Sequence, residues 1–243
     1  MKNFIKTPNL PERPVTSVIV DYRTNPDSIK MLNSLGICVY TTKRIDSLYE
    51  AVSGHPDMIL HHLGGEKLII APDSIDLNIP DADVIIGKSS LKSLYPYDIH
   101  YNACRVGNFL IHNFKYTDNS ILKNSDSLIK IHVKQGYSKC SVCIINEKAI
   151  ITSDTGIFKK CKEFNLDTLL IDDSDILLKG VSHGFFGGSS GLISPELLAV
   201  NGDIKTHRNY KEIKAFCDKH SVNILSLHSG AIEDIGSIIP LTE

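Results

Sequence analysis

The chain reads as an α/β protein: a ring of five ββαβ units with pseudo-fivefold symmetry, closed by pairing of its N- and C-terminal strands. Three observations predict this. A hairpin of two apolar strands around a tight polar turn recurs, and each copy is followed by a helix-like stretch and a third apolar strand. The turns are Gly64-Gly65, Gly107-Asn108, Asn146-Glu147-Lys148 and Pro195-Glu196, set in HPDMILHHLGGEKLIIAP, YNACRVGNFLIHN, KCSVCIINEKAIITSD and GLISPELLAVNGD. The fifth hairpin is split, with IEDIGSIIPL at the end of the chain and VTSVIVDY near its start. Self-similarity at a spacing of ~45 residues that joins its own ends implies a closed array. A ring has one centre, so strand starts from distant parts of the chain can build one site there.

The elements follow in order. Residues 15–20 (VTSVIV) form a buried strand, and Asn25-Pro26-Asp27 starts a helix through Leu35 with Gly36 as its stop. ICVYTT is a strand and IDSLYEAVSG a second short helix. DMILHH and KLIIAPD make a hairpin across Gly64-Gly65. Ser74–Pro80 is a loop or poor helix, and ADVIIG is a strand. NACRVGNFLIHN is the next hairpin, Asp118 caps a short helix through Lys123, and SLIKIHV is a strand. CSVCII and KAIITS pair. Asp154 or Thr155 then starts the helix GIFKKCKEFN, and TLLIDD follows as a strand. GLIS and LLAV pair, Asn209 starts the helix YKEIKAFCDKH with apolar positions 213, 216 and 217 on one face, and VNILSL is a strand. No low-complexity stretch or linker divides the chain, so residues 1–243 are expected to form one domain with an extended arm over 1–14.

The totals bound the function. The 243 residues suffice for a sizeable core, and 42% hydrophobic with 22% charged residues is ordinary for a globular protein. A net charge of −2 supplies no basic field for nucleic acid or an anionic membrane surface. No apolar run approaches the ~18 residues of a membrane span, and the N-terminus has no signal-like apolar region. Six cysteines are scattered at 38, 104, 140, 143, 161 and 217, without a disulfide framework, which points to a reducing cytoplasm. No helix is apolar all round, so oligomeric state is left open.

Several residues at strand starts carry chemical potential. His55 and Asp57 are two apart, and on a strand they share a face; an imidazole near a carboxylate can shuttle protons or hold a cation. The bland reading is a polar cap on a strand end. His61 and His62 are read as surface or filler residues. Lys139 precedes Cys140, and a neighbouring cation favours thiolate; a buried structural thiol is the alternative. Cys140 and Cys143 match C-x-x-C, but residues three apart on a strand face opposite ways, so no metal or cofactor is expected. Asn102 and Cys104 share a face, while Arg105 takes the other, as a carboxylate clamp or as a partner for an acid in the ring wall. Gly187, Gly188 and Ser189 lie in a Gly/Ser stretch whose N–H groups could hold an anion, or whose small size lets neighbouring units pack closely. Glu233 and Asp234, with Asp57, would make a central cavity acidic and suited to an amine or guanidinium, unless Lys139 and Arg105 neutralise them.

The strings HPDM (55–58), VKQGYSKCS (133–141), GFFGGSSG (184–191) and EDIGSIIPL (233–241) resemble the pentein fold of the guanidino-modifying enzymes, and an uncharacterised bacterial family assigned to it. The resemblance implies a β/α-propeller in which a Cys on the last strand attacks a guanidinium carbon, a His moves protons and carboxylates grip the cation. His55 and Asp57 match the His-x-Asp element. The last strand start, Ser229 to Gly236, has no Cys; Asp234 or its neighbour stands there. The resemblance therefore implies His55 as acid/base, Asp57 and Asp234 as cation grips and Cys140 as a substitute nucleophile, or a water activated by His55 or Asp234. A non-catalytic pentein that binds a ligand or partner is the alternative.

Overall fold

The structure, a computed structural model, describes residues 3–74 and 77–243. Among the described residues, fifteen strands form five three-stranded sheets. Each sheet holds an antiparallel hairpin whose second strand pairs in parallel with the strand that follows the crossover. The first sheet is built by ring closure: Ser17–Val20 (β1) pairs antiparallel with the last strand, Ile239–Thr242 (β15), and parallel with Cys38–Thr41 (β2). The others are Leu60–Gly64 (β3), Lys67–Ile70 (β4) and Asp83–Ile86 (β5); Cys104–Val106 (β6), Phe109–His112 (β7) and Ile129–His132 (β8); Val142–Asn146 (β9), Ala149–Thr152 (β10) and Asp167–Leu170 (β11); and Ser190–Ser194 (β12), Leu197–Val200 (β13) and Asn223–Ser226 (β14).

The helices begin where local chemistry starts them. In Pro26–Ser34 (α1), the Asn25 side chain accepts from the Asp27 N–H and Pro26 takes the first helical position. Asp118 caps Asn119–Lys123 (α3) and Asp154 caps Thr155–Glu163 (α4). Tyr210–Lys219 (α5) buries Ile213, Phe216 and Cys217. Two elements differ from the sequence reading. Residues 45–54 hold only a short 3₁₀ turn, Glu50–Val52. His55 and Asp57 lie not on a strand but at the start of a helical turn, Pro56–Ile59 (α2), because Pro56 has the φ of a first helical residue and Asp57 suits a first turn. Of the Ser74–Pro80 segment, residues 75 and 76 lie outside the described residues, as do 1 and 2 of the arm. The rest of the arm is docked: Ile5 is fully buried, its N–H donates to Leu241 O, and Phe4 bridges to Thr242.

The core is divided among the five seams between units. Val18 and Val20 face the fifth unit with Ile193, Ala199 and Ile238, whereas Ile19 faces the second with Leu60, Leu68 and Leu241. On β9, Val142 and Ile144 pack on the third unit, and Cys143 and Ile145 on the fifth. A sheet buried on both faces reads as a continuous apolar run, which is why these strands show no alternation. The first strand of each hairpin faces the axis: β12 packs against both β15 and β9, and β9 against β6.

Candidate functional site

Each inner strand is preceded by a tight turn at one end of the ring, and these lead-in turns meet at the axis. Hydrogen bonds tie all five together. Ser237 Oγ donates to Asp57 Oδ2 (2.7 Å) and contacts Gly187 O (3.1 Å). Asn102 Nδ2 donates to Asp57 O (3.1 Å), and its Oδ1 accepts from the Lys139 N–H (2.8 Å). Lys139 Nζ returns to Ser237 Oγ (2.9 Å). Ser237 holds a left-handed backbone (φ 76°), which aims its N–H at Gly188 O.

Cys140 lies inside this net, 2% exposed. Its Sγ donates to Asp57 Oδ2 and accepts from Asn102 Nδ2, each at 3.1 Å. Burial first, and then the charges of Asp57 and Asp234, push the thiol well above its ordinary range. The expected lowering by Lys139 is therefore outweighed: the ammonium turns to Ser237, and the nearest charged group to the thiol is a carboxylate. At neutral pH Cys140 is a thiol.

His55, 1% exposed, stands between two other acids. Its Nδ1 is 3.8 Å from Asp234 Oδ1 and its Nε2 is 3.9 Å from Asp21 Oδ2. Asp234 accepts from the Phe185 and Gly236 N–H groups, and burial raises its pKa against the lowering effect of His55. Asp21, at the exit of β1, takes two hydrogen bonds from the Arg23 guanidinium. Gly187 and Gly188 act by being small: a Cβ on Gly188 would lie 2.1 Å from Asp234 Oδ1, and one on Gly187 2.4 Å from the Val142 carbonyl carbon. Ser189 is buried with its hydroxyl on Phe186 O.

Above His55 and Asp234 opens a cavity of about 740 Å³, lined by Asp21, Arg23, Tyr49, Glu50, Lys179, Glu233 and Asp234 among others. Tyr49 leads inward to Tyr137, whose hydroxyl donates to the buried Asp98. Thus His55, Asp57, Asn102, Lys139, Cys140 and Asp234 come together and Glu233 lines the mouth. Arg105 does not join them. Its guanidinium donates to Leu63 O and Gly107 O, beside His61 and His62; both imidazoles are buried, so of the surface and filler readings the structure takes the second. Sequence reasoning missed Asp21, Arg23 and Ser237. Asp21 and Arg23 follow a strand that ends at the ring centre, and this position was the available signal; Ser237 carried none.

The architecture is that of the pentein fold. An amidinotransferase of Microseira wollei from the saxitoxin biosynthetic pathway superposes with a TM-score of 0.57 at 11% identity, covering 96% of this chain and 97% of that one. An agmatine deiminase variant of C. jejuni with substrate bound gives 0.56 at 10%, covering 98% and 96%. The inosamine-phosphate amidinotransferase of Streptomyces griseus gives 0.54 at 13%, covering 92% and 94%. At these identities the likeness is one of fold. No curated protein matches in sequence. The chain belongs to the family of unknown function DUF6873, whose model matches residues 19–239.

Proposed function

We propose that this protein binds a small cationic compound of guanidino, amidino or amino type in the acidic cavity at the ring centre. The observation that carries this is the charge of that cavity. Four carboxylates, Asp21, Glu50, Glu233 and Asp234, line it against two cations, Arg23 and Lys179; Arg23 is committed to Asp21, and Glu50 is paired with Arg44 outside the lining, which leaves Glu233 and Asp234 to face the ligand. A planar cation can bridge such carboxylates with charge-assisted hydrogen bonds. The structural neighbours, two amidinotransferases and an agmatine deiminase with substrate, support a small-molecule ligand.

A catalytic role is the second reading, favoured by the Cys140–Asp57 hydrogen bond with His55 nearby. A bound cation would favour the thiolate, Asp57 would take the thiol proton, and sulfur would add to the amidino carbon as the C=N electron pair moves onto nitrogen. Proton delivery from His55 to that adduct would then let an amine leave; alternatively His55 or Asp234 would activate a water. A ligand-binding module without chemistry uses the same cavity. Free thiols throughout the described residues fit a reducing compartment, and we place the protein in the cytoplasm.

A thermal-shift panel of guanidines, amidines, polyamines and amino acids, run with chelator present, tests the binding. A ligand at 100 times its Kd adds about 2.7 kcal/mol. Stabilisation of the wild type that is absent in His55→Ala is expected. Silence across the panel, or equal shifts in both proteins, would remove the cavity as the site.

A further inference from the structure

We propose that His55, Asp57 and Cys140 form a binding site for a soft divalent transition metal of the zinc type. One ligand atom from each lies within 4.8 Å of the others, and all three residues are buried. Two atoms of this cluster, His55 Nδ1 and Asp57 Oδ1, have no hydrogen-bond partner among the described residues although each residue is 1% exposed. Burying an unpaired polar atom is costly, and two such atoms beside one thiol mark a place built for something else.

The surroundings match what a metal needs. Asp57 Oδ2 is held by Ser237 (2.7 Å), which fixes the carboxylate and leaves Oδ1 free to ligate. Asn102 Nδ2 donates to Cys140 Sγ (3.1 Å) and would stabilise the thiolate. His55 has a carboxylate 3.8–3.9 Å from each ring nitrogen, so whichever nitrogen ligates, the other N–H faces Asp234 or Asp21; such outer carboxylates orient metal-bound histidines. Charge agrees as well. Three carboxylates at the centre, Asp21, Asp57 and Asp234, exceed the two cations Arg23 and Lys139 by one. That surplus of carboxylates favours a bound cation. Sulfur, imidazole nitrogen and a single carboxylate select zinc-like ions over magnesium or calcium. Three protein ligands leave a fourth position open, and His55 adjoins the wall of the 740 Å³ cavity through Asp234. The C-x-x-C spacing is not used: Cys143 faces the seam with the fifth unit.

This inference does not rest on the organic-cation reading, because its test contains no organic ligand. Cobalt(II) is titrated into metal-free protein and thiolate-to-cobalt charge transfer is followed in the near ultraviolet, with zinc added to displace it. The expected result is a band at one cobalt per chain that is absent in Cys140→Ser and kept in Cys143→Ser. Of Asp21→Asn and Asp234→Asn, the one that faces the non-ligating nitrogen is expected to weaken cobalt roughly 10–100-fold. If Cys140→Ser does not fold, His55→Ala decides: it keeps the thiol and must weaken cobalt at least about tenfold. No band in the wild type, a band that survives Cys140→Ser, or full affinity in His55→Ala would overturn the proposal.

Discussion

The side chains that decide this protein's chemistry are buried acids and a buried thiol, and burial sets their behaviour. Cys38 is exposed, whereas the other five cysteines are buried. With Cys140 held as a thiol beside Asp57, iodoacetamide at pH 7 is expected to label Cys38 first and leave Cys140 untouched; peptide mass spectrometry reads the order, and early labelling at Cys140 would contradict the raised thiol. Asp173 gives a second test. Burial pushes its carboxyl from 3.8 to about 6, and Ser153 donates to it. Between those values the native state holds a proton that the unfolded state has released, so this group subtracts stability as pH rises from about 4 to about 6. The loss is roughly 3 kcal/mol. Asp173→Asn keeps the acceptor for Ser153 and abolishes the titration. Denaturant unfolding should therefore show the variant gaining on the wild type by that order between pH 4 and pH 6.5, and a pH-independent difference would dismiss the assignment. His55, Asp57, Cys140 and Asp234 could be picked from the sequence because each precedes an apolar run, where a strand start is expected. Ser237 could not: a serine among apolar residues looks like filler, and only its left-handed backbone reveals its place between Asp57 and Gly188.

Turns fix more of the site than strands do. All four continuous hairpins form at the turns read from the sequence, the first shifted by one residue to Gly65-Glu66 because Gly64 pairs with Lys67, since Gly, Asn and Pro there state their backbone geometry locally. The Ile45–Gly54 stretch is different. Its apolar residues suggest a helix, yet Ile45, Leu48, Ala51 and Val52 are used singly to cover the seam between the second and third units, and tertiary packing overrides the weak propensity. The helical turn at Pro56 moves His55 and Asp57 off a common strand face and sends the imidazole toward Asp234 while the carboxylate goes to Cys140. Their ion-pair and hydrogen-bond partners come from other units, although a ligand atom of each still lies within 4.8 Å of the other. The lead-in turn at Gly188 is a sharp test. Ile235 and Ser237 donate to its carbonyl at 3.0 and 2.6 Å, so the backbone cannot retreat from Asp234. Gly188→Ala should cost roughly 1–3 kcal/mol by overpacking and should displace Asp234. A lower melting temperature is expected, together with loss of response to any cation that stabilises the wild type; wild-type values of both would show that the approach is looser than described.

Ring closure makes the five units interdependent. Each sheet gives one face to the unit before it and the other to the unit after, so no unit owns its core. The periodic hairpins predicted this closure, but they did not reveal the hydrogen-bonded hub, because its members, Asp57, Asn102, Lys139, Gly187 and Ser237, lie up to 180 residues apart. In an open array, loss of an end unit melts that end first. Here the last strand serves both a seam and the hub. Deleting Ile239–Glu243 strips Ile239 and Leu241 from the seam between the first and second units, about 1.5–3 kcal/mol each. It also removes the antiparallel ladder of β1, leaving only its pairing with β2, and frees the segment that carries Ser237, the residue to which Asp57 and Lys139 are both bound. Against a total stability of about 5–15 kcal/mol, this is enough to unfold the whole ring. Amide exchange at β7 and β8, on a sheet that does not touch the deletion, reads the outcome. Exchange there as fast as at β1 and β2 is expected. Retained protection at β7 and β8 with loss confined to β1 and β2 would mean that the units are held by their seams alone, and that the hub serves the site without supporting the fold.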